Sequence, residues 1–141
     1  RTIHERLLSE TIGTHETHGS CLYAAVLLAE SARSFGSCTK VLIRGGDGVH
    51  DGGYIDSHGI KHGHYWVEAS THEGDFVLDI TADQFGDDPC LVLSAKESLE
   101  HYRPGDQSIV DSHVTELFVS CTADAAPAAQ DQNAFQETVV V

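Results

Sequence analysis

"HYWVEASTHEGDFVLDI", residues 64–80, decides how this chain folds. In its first half His64, Trp66 and Glu68 alternate with Tyr65, Val67 and Ala69, and "DFVLDI" alternates in the same way. The polar "STHEG" between them is a turn, so the stretch predicts an antiparallel hairpin. With the turn centred between Thr71 and His72, His64 falls directly opposite Asp79 on one face of the sheet. Directly opposed Cβ atoms lie roughly 4.5–5.5 Å apart, close enough for an imidazole and a carboxylate to share a hydrogen bond. A slip of one residue would put the two side chains on opposite faces, so the pairing rests on the register.

Around the hairpin the pattern continues. "CLVLS" (90–94) and "TKVLIR" (39–44) read as strands, "AKESLEHYR" (95–103) as a short helix and "IVDSHVTELFVS" (109–120) as a last strand. Upstream, Ile3, Leu7 and Leu8 recur at helical spacing. Ser20 is a natural N-cap for the Ala- and Leu-rich "CLYAAVLLAESARSF", with Gly36 as its stop. Residues 45–63 are so rich in Gly, Asp and His that they predict a long mobile loop. Placed just before His64, that loop also suits a lid. Helices first and strands after predict a single α+β domain over 1–122, with the Ala-, Gln- and Asp-rich 123–141 as a flexible tail.

Composition bounds the function. The 141 residues suffice for one domain, and 40% apolar content favours a globular one. A net charge of −14 repels phosphate backbones, which argues against nucleic-acid binding. Basic proteins or peptides fit that charge better as partners, and solubility alone also accounts for it. No apolar run suits a membrane span, and the first residues lack the apolar core of a signal peptide. The chain opens on Arg1 and holds no Met, which points to a trimmed start. The expected location is the cytoplasm, or another cell if the protein is a delivered effector. Four widely separated cysteines without a C-x-x-C pair give no zinc ribbon or redox motif.

Of these cysteines, Cys21 falls in the first turn of its predicted helix, where unpaired N–H groups and the helix dipole stabilise a thiolate. Any small buried residue also suits that position. Together with His64 held by Asp79, however, it completes the parts of a nucleophile triad. The imidazole accepts the thiol proton, while the carboxylate fixes the tautomer and stabilises the imidazolium.

A cysteine opening a helix in "GSCLYAAVLLAE", then "HYWVEA", then "FVLDITADQF", resembles the papain-like cysteine hydrolases, above all their transglutaminase-like branch. The H-x-W-V-E strand is also similar to that of the leader peptidases of lasso-peptide biosynthesis. The resemblance covers about residues 19–86. It implies helices packed on an antiparallel sheet, with Cys21 as nucleophile, His64 as base and acid, and Asp79 as orienting carboxylate. Ser20 and Leu22 flank Cys21 where transglutaminases commonly carry a tryptophan. The implied activity is hydrolysis of a peptide or amide bond through a thioester. Deamidation or transamidation of a protein glutamine is the first alternative, and a protein-binding module with a vestigial triad is the second. No cofactor is implied; the expected partner is a protein or peptide substrate, with a regulatory partner unspecified.

An oxyanion would be met by the Cys21 N–H and one further donor, for which His18, Gln84 or another backbone amide qualify. Gln84 equally suits a bond to a loop carbonyl. Trp66 shares the His64 face and suits either a cleft wall or the core, and Glu68 reads as an exposed strand carboxylate. Ten histidines raise the question of a metal, and His50, His58 and His62 make an imaginable zinc set. "HETH" (15–18) is nevertheless one residue short of H-E-x-x-H, and loop histidines among glycines lack supporting partners. No metal is therefore expected.

Overall fold

A computed structural model describes residues 1–13 and 19–124. Two helices, α1 (Thr2–Ile12) and α2 (Cys21–Phe35), precede the strands β1 (Lys40–Gly46), β2 (Gly53–Ile55), β3 (Lys61–His62), β4 (His64–Thr71) and β5 (Gly74–Asp79). A 3₁₀ turn (Ala82–Phe85), β6 (Leu91–Ser94), α3 (Ala95–Ser98), β7 (Tyr102–Arg103) and α4 (Gln107–Asp124) follow. The expected α+β class is observed, with helices packed on an antiparallel sheet of order β1-β4-β5-β6. A second sheet, β3-β2-β7, was not expected.

The two faces of β4 serve two cores. Val67 faces α2, where Ala25 and Ala29 let the helix approach closely enough to bury Ile43 and Val67 together with Val110 of α4. Trp66 faces the other way and packs with Val77, Tyr54 and Tyr102, so the second sheet covers that side. Ala24, Ala25 and Ala29 are at most 3% exposed, which explains why this stripe of α2 carries no larger side chain. The free edge of β1 is also closed. Arg33 donates to the Val41 carbonyl at 3.2 Å, Gln107 to that of Ile43 at 2.9 Å, and the Gly105 amide to that of Gly45 at 2.8 Å.

Four expectations need correction. The hairpin turns at His72–Glu73, with Thr71 paired to Gly74 and Val67 to Leu78. Gly74, at φ 142°, supplies the turn exit, and the turn, set one residue further along, makes Trp66 rather than His64 the continuation of the register opposite Asp79. The displacement is even, so His64 and Asp79 stay on one face. Residues 109–120 form a helix instead of a strand, because Val110 and Val114, four apart, bind the α2 cluster. Asp106 starts that helix, its Oδ1 accepting from the Ser108 amide at 2.8 Å.

The segment 95–103 is helical only to Ser98, since Tyr102 and Arg103 pair with Tyr54 and Gly53. The expected long mobile loop at 45–63 instead begins within β1 and carries β2 and β3 of the second sheet. Asp47 Oδ1 accepts the amides of Val49, His50 and Asp51, and Asp51 in turn accepts that of Asp106. In α1 the buried face carries His4 and Leu8, while Ile3 is 66% exposed. The expected tail lies outside the described residues from 125 onward.

The two sheets meet where backbones cross without room for a side chain. A Cβ on Gly46 would fall 2.1 Å from the Asp51 carbonyl oxygen and 2.4 Å from the Gly53 nitrogen, both backbone atoms. Gly46→Ala should therefore destabilise the domain by about 2–3 kcal/mol in urea unfolding. A loss below about 0.5 kcal/mol, the range of an ordinary surface change, would show that this crossing is not tightly held.

Candidate functional site

Three elements bring the sequence candidates together. Cys21 is the first residue of α2, His64 the first of β4 and Asp79 the last of β5. His64 is 0% and Asp79 2% exposed, whereas Cys21 is half-buried at the edge. The His64 Nε2 lies 2.7 Å from Asp79 Oδ2. With Nε2 engaged there, Nδ1 is the ring atom that remains, 3.4 Å from the Gln84 amide nitrogen, and Cys21 lies near enough to the ring to act on its charge. All four cysteines are free thiols.

Asp79 collects donors on both oxygens. Oδ1 accepts the Thr81 amide at 2.8 Å and the Thr81 hydroxyl at 3.1 Å, and Oδ2 accepts the Tyr102 hydroxyl at 2.8 Å besides His64. A buried carboxylate stays ionised only with such partners. Burial pushes its pKa up, but His64, Thr81 and Tyr102 outweigh it and hold Asp79 below the ordinary carboxylate value. At His64 burial favours the neutral ring, yet Asp79 and Cys21 outweigh it and raise the imidazole from 6.5 to about 9. The ring is enclosed by Tyr54 (centroids 5.7 Å apart), Phe85 (4.9 Å) and Trp66 (6.3 Å).

The remaining candidates fall differently. Trp66 is 1% exposed and belongs to the core behind His64, so it walls no cleft. Gln84 donates to the Thr81 carbonyl at 2.9 Å, the loop-carbonyl alternative, while its amide nitrogen also lies 3.4 Å from His64 Nδ1. It borders the thiol–imidazole edge, but its amide is already engaged. His18 lies outside the described residues. Ser20 occupies the N-cap position of α2 without capping it; its hydroxyl lies 3.0 Å from Nε2 of buried His4. Glu68 is half-buried and pairs with Arg44 at 3.4 Å, in place of the expected exposed carboxylate.

The imagined zinc set does not converge. His62 pairs with Asp56 at 2.9 Å, and exposed His50 lies 3.5 Å from Asp47. Among the described residues no group of three or more His, Cys, Asp or Glu is arranged to hold a metal. None of the described helices is long and apolar enough to cross a membrane.

Two participants were missed in the sequence. Thr81 had a visible signal, since a Thr two residues after an Asp commonly turns back onto it. Tyr102 had none, because the segment around it reads as helix. Chemically, the arrangement provides a thiol at a helix start, a base at its side and a shielded carboxylate behind the base. Comparison with protein families, curated proteins and solved structures finds no match for this chain.

The raised imidazole makes a signed prediction. A folded-state value of about 9 against the ordinary 6.5 gives stability that is fully present below pH 6.5 and lost as pH rises through 9. Asp79 contributes in the opposite sense, its share being lost as acid protonates it. The stability gap between the wild type and Asp79→Asn should thus be widest near about pH 6 and narrow steadily above it. Urea unfolding across the pH range measures it, and a gap independent of pH would refute the ion-paired state of His64.

Proposed function

We propose that the chain is a cysteine-nucleophile hydrolase of the papain-like, transglutaminase-like kind, cleaving a peptide or amide bond through a thioester. The observation that carries this reading is the continuous line from the half-buried Cys21 thiol through buried His64 to the four-donor carboxylate of Asp79. A cysteine at a helix start beside a His and an Asp on neighbouring strands agrees with the resemblance carried by "GSCLYAAVLLAE", "HYWVEA" and "FVLDITADQF".

In this reading His64 Nδ1 takes the Cys21 proton, and Asp79 stabilises the imidazolium without being protonated. The thiolate attacks the carbonyl carbon, and the resulting oxyanion sits at the Cys21 N–H, within a first helical turn that no Ser20 side chain caps. Collapse of the tetrahedral species breaks the C–N bond, with the amine leaving with the proton from Nδ1. Water then attacks the thioester, losing its proton to His64, and releases the acid and the thiol.

Iodoacetamide labelling gives the test, with Cys90 and Cys121 as exposed internal references. At about pH 6, Cys21 should react at least ~10-fold faster than either, and His64→Ala should abolish the difference. Equal rates would overturn the enzyme reading in favour of a binding module. Mass spectrometry of a peptide library treated with wild type and Cys21→Ala then reads the reaction itself. New termini indicate cleavage, a one-dalton gain on glutamine indicates deamidation, and crosslinks indicate transamidation. Activity in Cys21→Ala should fall by roughly 10³-fold or more.

A further inference from the structure

We propose that Tyr102 is a positioning residue of this site, whose hydroxyl limits how strongly Asp79 holds the proton on His64. The proposal rests on the hydrolase reading for its purpose, but its geometry is independent of that reading.

Tyr102 belongs to β7, in the small second sheet, and is 2% exposed. Its hydroxyl reaches across to the first sheet and donates to Asp79 Oδ2, the same oxygen that His64 Nε2 uses. Two donors on one oxygen divide its negative charge. The phenol therefore draws density away from the imidazole, while the two bonds from Thr81 hold the other oxygen and fix the carboxylate plane. The ring is fixed as well, edge-on to Trp66 and to Tyr54, with centroids 5.1 Å away in both cases. Tyr54 is held in turn by a hydrogen bond from its hydroxyl to Asp87.

The ring has a second task. A groove of about 270 Å³ is lined among others by Lys40, Leu42, Glu68, Leu99 and Tyr102. Asp79 does not line it. Tyr102 both lines that groove and bonds Asp79, and in this proposal its ring separates the two. Without the partition water would reach the charge and weaken its hold on His64.

This role suits the proposed reaction. The imidazole must first accept the thiol proton and later return it to the leaving amine. A carboxylate held by His64 alone would make the ring too basic to return it near neutral pH. The groups whose charge bears on His64 are Asp79 from β5 and Cys21 from α2. Tyr54 from β2 and Tyr102 from β7 face the same pair, and burial together with Asp79 keeps Tyr102 protonated and hence a donor.

The test is the NMR titration of the His64 ring in the full 141-residue chain. Tyr102→Phe keeps the partition and loses the donor, so the His64 midpoint should move up by about half a unit or more. Tyr102→Leu loses both, and water entering from the groove should move the midpoint down relative to Tyr102→Phe. Site-specific 3-fluorotyrosine at position 102 keeps the fold and strengthens the donor, so it should move the midpoint down from wild type. A midpoint unchanged in both Tyr102→Phe and the fluorotyrosine protein would reduce Tyr102 to a structural residue and overturn the proposal. No substrate is needed, so the outcome is separable from the function. Slow labelling of Cys21 would sink the hydrolase while leaving the Tyr102 result standing, and rapid labelling with an unmoved His64 would do the reverse.

Discussion

A carboxylate buried between two sheets constrains this molecule more than any other group. Asp79 is 2% exposed and ionised, a state that would cost several kcal/mol if left unpartnered. Its donors come from three places in the chain: the start of β4, the residues just after β5, and β7. Each of these must be in position for the charge to be tolerated. The second sheet has its structural reason here, since it delivers Tyr102 to Asp79 and covers Trp66 with Tyr54. A disordered 45–63 segment would leave the carboxylate open to water and short of a donor.

The short helix α1 holds the two halves of the site in relation to each other. Its His4 meets Ser20, the residue directly before Cys21, while Arg1 makes two bonds to Asp83 in the turn that carries Gln84. Burial, with the charge of Arg1 adding to it, lowers the His4 pKa and keeps the ring neutral, as a buried contact with a hydroxyl requires. Ser20 spends its hydroxyl on this brace instead of on capping α2. The helix start then depends on α1 for its position, and its first-turn amides keep their electropositive character next to the thiol.

Much of this was legible in the sequence where one periodicity dominated. Helix α2, strands β1, β4, β5 and β6, and the shared face of His64 and Asp79 all follow from local pattern. The register itself was displaced by two residues, because a turn at Thr71–His72 and one at His72–Glu73 look alike until Gly74 is placed. The even displacement spared the pairing. Helix α4 was hidden by its β-branched residues, whose strand preference yields to packing of Val110 and Val114 on α2. The second sheet was illegible for a different reason. Its strands are only two or three residues long, and although β2 pairs locally with β3, its other partner β7 lies some fifty positions away, as Gly53 and Arg103 show, which no local window contains. Tyr102 was lost with it.

The gradient of exposure across the site also bears on how it would work. Cys21 is half-buried, His64 fully buried and Asp79 buried behind it. In the proposed reaction a substrate carbonyl would reach the sulfur from the edge and meet the imidazole only through Nδ1, the atom that would exchange the proton. Water is kept from Nε2 and from the carboxylate, so the attraction between imidazolium and Asp79 acts in a medium of low polarity, where it is strong. The bond at 2.7 Å therefore orients the ring as well as charging it, and the ring cannot turn without leaving Asp79 short of a donor. Orientation and basicity are thus set by the same buried oxygen. Its second partner, the Tyr102 hydroxyl, can therefore adjust the basicity of the ring while Thr81 keeps the carboxylate in place.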